Sequence, residues 1–442
     1  MGRGGQTVKA EAPASKPDDA SEVLIEGQLY DVSGFRHPGG SIIKFLQGEG
    51  DATDAFREFH GRSRKAYAML KSLPKRDVHA PAVADVKARR FANGKEKLQA
   101  DFAAFRAELE AEGYFDPDPT HVFWRFVEIL AMHAVGAWLV RGGLASLVGA
   151  AGAGWCAWVA GVMILGLASG RCGWLMHEGG HYSLTGNIKV DRALQVVTYG
   201  VGCGMSGAWW RNQHNKHHAT PQKLQHDVDL DTLPLVAFHA KIIAKAKHPV
   251  MKAWLKMQGY LFMPVSCGLV ASGWQFYLHP RHILRIKHHG EALALVTRYA
   301  LFCGLLCHGY SWAGTWATYN LYNWVASSYI FTNFSLSHTH LPVTNADEYI
   351  HWVEYAASHT TNLSNHWLCN WWMAYLNFQI EHHLFPSAPQ YRHPTIAPRV
   401  RALFERNGLK YDVRPYFSCL AQTLANLHEV GNLEIHHGGK SE

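Results

Sequence analysis

The 442 residues carry 42 Lys and Arg against 35 Asp and Glu, a formal net charge of +7, with 48% hydrophobic residues and 29 histidines. That is too long for one small core, and the mean hydropathy of −0.14 averages a polar start with an apolar remainder. No Lys/Arg block is interleaved with aromatics, so nucleic acid is not indicated; the basic excess fits a surface facing anionic lipid headgroups. The eight cysteines are scattered with no CxxC pair, mostly in or beside apolar segments, which argues against a disulfide framework or a cysteine zinc site.

In chain order, residues 1–20 read as a disordered terminus, with no apolar signal-peptide core and no myristoylation pattern in MGRGGQ. Residues 21–79 alternate strand-like runs (VLIEGQLYDVSGF) with helical ones (SIIKFLQGE, TDAFREFH) and predict a small α+β domain. Inside it His37 stands in RHPGG and His60 ends DATDAFREFH. The glycine pair lets the chain approach a flat cofactor. Two histidines on opposing walls of an apolar slot can supply both axial ligands of a haem, although HPGG alone is also an ordinary turn. Residues 80–120 are charged with helical periodicity and predict a linker helix.

Residues 121–411 form the apolar body, and 412–442 a C-terminal tail. Four stretches have the ~20 apolar residues a bilayer requires: 122–140, 144–169, 293–312 and 315–335. A fifth, 258–279, is ambiguous. If all the histidine clusters serve one site, they share one side of the membrane, and a fifth crossing would separate them. The segment 258–279 is therefore expected to be interfacial or re-entrant. Lys and Arg concentrate on the side of the clusters, which makes that side cytosolic.

Three histidine clusters punctuate this body. His177 and His181 stand in HEGGH, His214, His217 and His218 in HNKHH, and Gln379, His382 and His383 in FQIEHHLFP. Residues three and four apart share a helix face, so each cluster aims its rings at one point, and neutral imidazole is the commonest side-chain metal ligand. HEGGH also satisfies H-E-x-x-H, the zinc protease pattern with Glu178 as base. A protease explains neither the other two clusters nor the haem pair. Gln379 stands where a histidine would complete HxxHH. Glu178, Glu381, Asp227, Asp229 and Asp231 are candidates to orient ring N–H groups, though each taken singly reads as polar surface. His226, His239, His282, His288, His359 and His366 stay unassigned, and His436 and His437 lie in a polar tail.

The RHPGG and FREFH segments resemble cytochrome b5, with His37 and His60 matching its axial ligands. HxxxH, HxxHH and QxxHH, between paired spans from about residue 120 to 410, resemble the membrane fatty-acid desaturases. The glutamine variant with an N-terminal cytochrome b5 domain resembles their front-end subgroup, and DVDLDTLP, SHTHLPV and HTTNLSNHW look closest to Δ5 desaturases of marine microbes. The resemblance implies a di-iron centre held mainly by histidine, with one more ligand after the last span: His338 in FSLSH, with His340 in reserve. Chemistry makes the same demand, because no protein side chain cleaves an unactivated methylene C–H bond, and imidazole suits iron.

The expected protein is an α-helical integral membrane enzyme: four transmembrane helices with a cytosolic helical cap, preceded by the haem domain. It uses O2, a di-iron centre and haem b, with electrons from NADH through cytochrome b5 reductase. Its substrate is a polyunsaturated fatty acyl chain on CoA or phospholipid. The expected location is the endoplasmic reticulum membrane, multi-pass, with both termini and all the histidine boxes cytosolic. A desaturase of Δ4, Δ6 or Δ8 position, or a lipid hydroxylase, fits the same scaffold. More distant alternatives are a membrane zinc protease and a non-catalytic haem protein.

Overall fold

The computed structural model describes residues 21–48, 50–77, 95–143, 151–230, 232–346 and 348–433, with backbone alone at 151–153. The expected disordered start (1–20), the opening of the linker (80–94) and of the second span (144–150), Asp231, and residues 434–442 with His436 and His437 lie outside the described residues, whereas most of the expected tail, 412–433, is described and folds into a strand and a helix.

The N-terminal domain is a small antiparallel sheet with two helices. Strand β1 (Glu22–Ile25) pairs with β2 (Gln28–Asp31), with Val23 opposite Tyr30 and Leu24 opposite Leu29, and β2 pairs with β3 (Lys75–Asp77). Glu26 and Gly27 turn the hairpin at positive φ, as a two-residue turn of this hand requires. Helix α1 (Thr53–His60) and helix α2 (Arg64–Ser72), capped by Ser63, complete it. Val23, Ile25, Tyr30, Val32 and Ala52 form its core, with Phe35 and Phe56 against them.

The linker helix is more than a connector. Helix α3 (Glu96–Ala111) buries Leu98, Phe102, Phe105 and Leu109, a stripe at helical spacing. This stripe packs beneath the third histidine cluster, against Ile380, Leu384 and Phe385, with the Phe102 and Phe385 rings stacked at 5.3 Å.

The body follows. Helix α4 (Pro119–Val140) starts with Asp118 as its cap and Pro119 in its first turn. Helix α5 (Ala151–Gly180) packs along it. Helix α6 (Ile188–Gln195), prolonged by a π turn, lies beside α5, where Ser169 Oγ donates to Gly202 O at 2.8 Å. Helix α7 (Gly207–Ala219), helix α8 (Pro249–Lys256), the helical run α9 (Gln258–Ile286), helix α10 (His289–Leu301) and helix α11 (Trp312–Ser335) come next. The cap is closed by α12 (Trp352–His359), α13 (Gln379–Leu384), α14 (His393–Arg406) and α15 (Tyr416–Gly431), with a parallel pair β4 (Asn362–Leu363) and β5 (Val413–Arg414).

The span count departs from the sequence expectation. Among the described residues, three helices are long and apolar enough to cross a membrane: Pro119–Val140, Gly154–Gly180 and Gln258–Ile286. The segment 258–279, expected to lie in the interface, is thus part of a continuous 29-residue helix that qualifies on length and composition. The stretches 293–312 and 315–335 are largely helical but carry Arg298 and a run of Tyr, Asn and Ser, so they fall short on apolarity. They are nevertheless tied to the first two at one end of the bundle. Tyr310 Oη donates to Val140 O at 2.9 Å, and Arg141 donates to His308 O.

Truncating Phe102, which is fully buried, should leave a cavity under the third cluster and cost about 3–5 kcal/mol. Phe102→Ala is expected to lower the melting temperature of the detergent-solubilised protein. A shift within ~0.5 kcal/mol of wild type would contradict this packing role.

Candidate active site

The three clusters and the segment after α11 converge on one buried locus. α5 presents His177 in its last turn, and His181 follows its end. α7 carries His214, His217 and His218; His338 stands just past α11; α13 carries Gln379, His382 and His383. In one group, His177, His181, His214, His218 and His382 each place a ring nitrogen within 4.8 Å of the others. In the second group, His217, His338 and His383 do the same. The groups adjoin where His218 and His383 stack at 4.2 Å. His340 belongs to neither and sits near Thr423 Oγ1, at 3.5 Å.

The helices that hold these rings are pinned from several sides. A Cβ on Gly180 would stand 2.2 Å from Trp210, so glycine there lets α5 close on α7. At the start of α7, Ser206 caps Trp209 N at 3.1 Å, and Ser206 N donates to His279 Nδ1 at 2.7 Å. Glu291 accepts from Ala208 N at 2.8 Å and from the Ser206 hydroxyl, a carboxylate placed at a helix N-terminus. The third cluster is anchored by Glu381, which points away from the rings and accepts from Asn362 Nδ2 and Tyr411 Oη, both at 2.7 Å. Burial pushes the Glu381 carboxyl up to about 7.

Electrostatics favour neutral rings. Burial pushes His181 and His338 down to about 3, and holds His214, His218, His382 and His383 well below their ordinary value, with neighbouring imidazoles adding to it. His217 is the exception: burial lowers it, but the Asp227 and Asp229 carboxylates outweigh that and hold it at about 9. His217 Nδ1 lies 2.9 Å from Asp227 Oδ2 and 3.5 Å from exposed Asp229. His338 Nδ1 donates to His359 O at 2.9 Å. Each of these two bonds occupies Nδ1 and leaves Nε2 for a metal.

The residues fit a metal centre. His177 Nε2, His181 Nε2, His218 Nδ1, His383 Nδ1 and both nitrogens of His382 are buried without a hydrogen-bond partner. Buried polar atoms are rarely left so, and a group of imidazole lone pairs aimed at one point is a demand for cations of the borderline type that imidazole suits. The protease arrangement does not fit. Glu178 turns from the rings toward Gln390 N (3.2 Å) and Arg125 (3.8 Å), so it is not placed as a base at the metal.

Several residues carry more of the site than their local sequence indicates. Glu178, Glu381 and Asp227 are buried rather than polar surface, and only Asp229 of the described carboxylate candidates is exposed. Gln390, His279, His359 and Glu291 went unnoticed as partners, because each reaches the site through contacts remote in sequence; Gln390 Nε2, for example, lies 2.8 Å from His177 Nδ1. No local motif marks them. Gln379 is buried and lies against His338.

In the N-terminal domain, the His37 and His60 rings stand 6.0 Å apart at 66°. Imidazole–metal bonds of about 2 Å on the two faces of one iron put ring centres about 6 Å apart, so the pair fits a haem. Burial pushes His60 down to about 4 and lowers His37 as well. A Cβ on Gly39 would stand 2.7 Å from the His37 ring, which explains the first glycine of RHPGG. This domain docks on the helix of the second cluster. Asn212, two residues before His214, contacts Gly39 O at 3.4 Å, and Phe45 stacks on His226 at 4.3 Å.

A cavity of about 640 Å³ opens beside the rings of His177, His214, His217, His382 and His383. Its walls are chiefly apolar, including Phe262, Trp274, Ile330 and Phe331, and it reaches down to Gln275 and Asn323 between α9 and α11. Such a slot accepts an extended hydrocarbon and holds it against the histidine groups.

Comparison with known proteins agrees with this architecture. Residues 153–415 match the profile described as Fatty acid desaturase, and residues 9–79 match Cytochrome b5-like Heme/Steroid binding domain. A Rebecca salina protein named acyl-lipid (8-3)-desaturase is 56% identical over 424 residues, covering 96% of this chain and 94% of its own. A Thraustochytrium protein of the same name is 50% identical over 445 residues, covering 98% of each. Human fatty acid desaturase 3 is 27% identical over 413 residues, covering 93% of this chain and 90% of its own.

Removing the carboxylate that orients His217 should weaken metal binding in the second group. Asp227→Asn is expected to lose ~10–100-fold in iron affinity, while Asp229→Asn stays within about twofold of wild type. Iron titration of the metal-stripped protein checks this, and wild-type affinity in Asp227→Asn would contradict it.

Proposed function

The chain belongs to the fatty acid desaturase family, with a fused cytochrome b5 domain, and we propose that it is a front-end Δ5 desaturase of C20 polyunsaturated acyl chains. It is an oxidoreductase that uses O2, haem and a di-iron centre. The observation that carries the Δ5 reading is near full-length likeness to two proteins named (8-3)-desaturases. Taken as a carbon position and an offset toward the carboxyl end, those numerals fall on carbon 5.

His177, His181, His214, His218 and His382 would hold one iron; His217, His338 and His383, with Gln379 beside them, would hold the other. Bound there, the irons supply the activated oxygen that no side chain provides. His37 and His60 would hold the haem. The contact of the RHPGG loop with Asn212 sets the haem domain directly on the helix of the second cluster, which supports electron delivery within one chain. A reductase using NADH would supply those electrons singly. The cavity walls hold the acyl chain, keep bulk water from it and fix which methylene pair faces the rings. The acyl chain would arrive on CoA or on phospholipid.

For topology, α4, α5, α10 with its π turn, and α11 would cross the membrane, with α9 lying in the interface without crossing. Both flanks of α9 favour this. Gln258 bonds Ala237 and Leu427 in the cap, while His279 bonds Ser206 at the start of α7. An even number of crossings between His218 and His338 keeps both groups on one face. That face would be the cytosolic side of the endoplasmic reticulum, with both termini there, as the Lys and Arg distribution favours.

Expression in a host that makes no polyunsaturates, fed C18 and C20 acids one at a time, tests the assignment. A C20 acid with a double bond at carbon 8 is expected to gain one at carbon 5, located by mass spectrometry. A new bond at carbon 4, 6 or 8, or a hydroxylated product, would contradict it.

A further inference from the structure

A second set of buried polar groups, none of which lines the acyl cavity, runs from the histidine groups outward to the surface. His393 is fully buried, its ring 6.0 Å from that of His382, and neither of its nitrogens has a hydrogen-bond partner. Gln390 touches His177 through one end of its amide and leaves Oε1 unpartnered; its backbone N–H donates to Glu178. Glu178 Oε2 stands 3.8 Å from Arg125, beyond hydrogen-bond reach, and all three guanidinium nitrogens of Arg125 are buried and unpartnered. One helical turn before Arg125, His121 is half-buried at the surface with Nε2 unpartnered, its ring 4.3 Å from Tyr391.

Single orphan atoms occur in folded proteins; a contiguous file of them from surface to centre does not form by default. Ordered water satisfies such groups, each molecule making about three hydrogen bonds. Ionisable residues within membrane helices commonly mark ion or proton routes. The reaction needs such a route. A CH2–CH2 unit, O2, two electrons and two protons give CH=CH and two waters; the haem supplies the electrons, and the substrate's two hydrogens account for half of those in the product water. The apolar acyl cavity is a poor path for the two solvent protons.

We propose that His121, Arg125, Glu178, Gln390 and His393 line a water-filled inlet that carries solvent protons to the histidine groups and lets product water out. The proposal rests on those histidines being the oxygen-reducing centre. None of these side chains need touch substrate. They position the water, and the guanidinium of Arg125 sets its orientation midway.

The test has two arms. In the first, the solubilised holoenzyme is irradiated briefly in ¹⁸O-labelled water, and oxidised side chains are mapped by mass spectrometry. His393 should take up label despite full burial, whereas Trp174, equally buried but bonded to Tyr329, should not. In the second, Arg125→Met and His121→Phe should keep wild-type iron and haem content, lose about tenfold or more in turnover, and raise the solvent deuterium isotope effect. Should Arg125→Met lose its iron, His121→Phe, which leaves Arg125 in place, decides this arm. An unlabelled His393, or wild-type turnover and isotope effect in the deciding variants, would overturn the inlet. A wild-type chain without non-haem iron would instead overturn the ligand assignment, leaving the labelling to judge the inlet alone.

Discussion

Eight imidazoles share one buried place, all but His217 favoured as neutral rings, and the rest of the structure answers to that constraint. Protonating rings packed this closely sets like charges against one another in a desolvated site, and leaving their lone pairs unmet costs free energy of its own. Metal ions resolve both problems at once. The surrounding protein then has to bring four separate chain segments to one point and hold each ring at a set angle. It does so with contacts that are not themselves ligands: Asp227 on His217, the His359 carbonyl on His338, Gln390 on His177.

The same logic explains why the clusters sit at the ends of helices rather than within their apolar middles. α5 delivers His177 in its final turn, and α7 is fastened at its N-terminus by Glu291 and His279 from neighbouring helices. Those fastenings bury polar groups against partners, which keeps the apolar cavity free of them on its hydrocarbon-facing walls. The haem domain is seated on α7 as well, so one helix bears both the second cluster and the electron donor's docking face.

The sequence makes the histidine groups legible because their spacing is physical. HxxxH and HxxHH must share a helical face whatever the fold, and RHPGG paired with FREFH brings two rings across a slot. What it does not reveal depends on tertiary contact. The Leu98–Phe102–Phe105–Leu109 stripe is visible as a helix, but not that it underlies the third cluster. Asp227 reads as one acid among several in HDVDLD until its carboxylate is seen against His217. The run 258–279 is apolar without being obviously a span, and hydropathy cannot decide between a crossing and a dip where α9 packs on α11. His338 and His340 lie in one short motif, and only the turn after α11 separates them.

Two histidine groups of this kind call for two irons. Metal content of the purified chain, resolved into haem iron, non-haem iron and zinc, with ⁵⁷Fe Mössbauer spectra of the non-haem fraction, tests it most directly. One non-haem iron is expected for each histidine group, in a nitrogen-rich environment distinct from the haem. Stoichiometric zinc in their place, or iron confined to the haem, would contradict it.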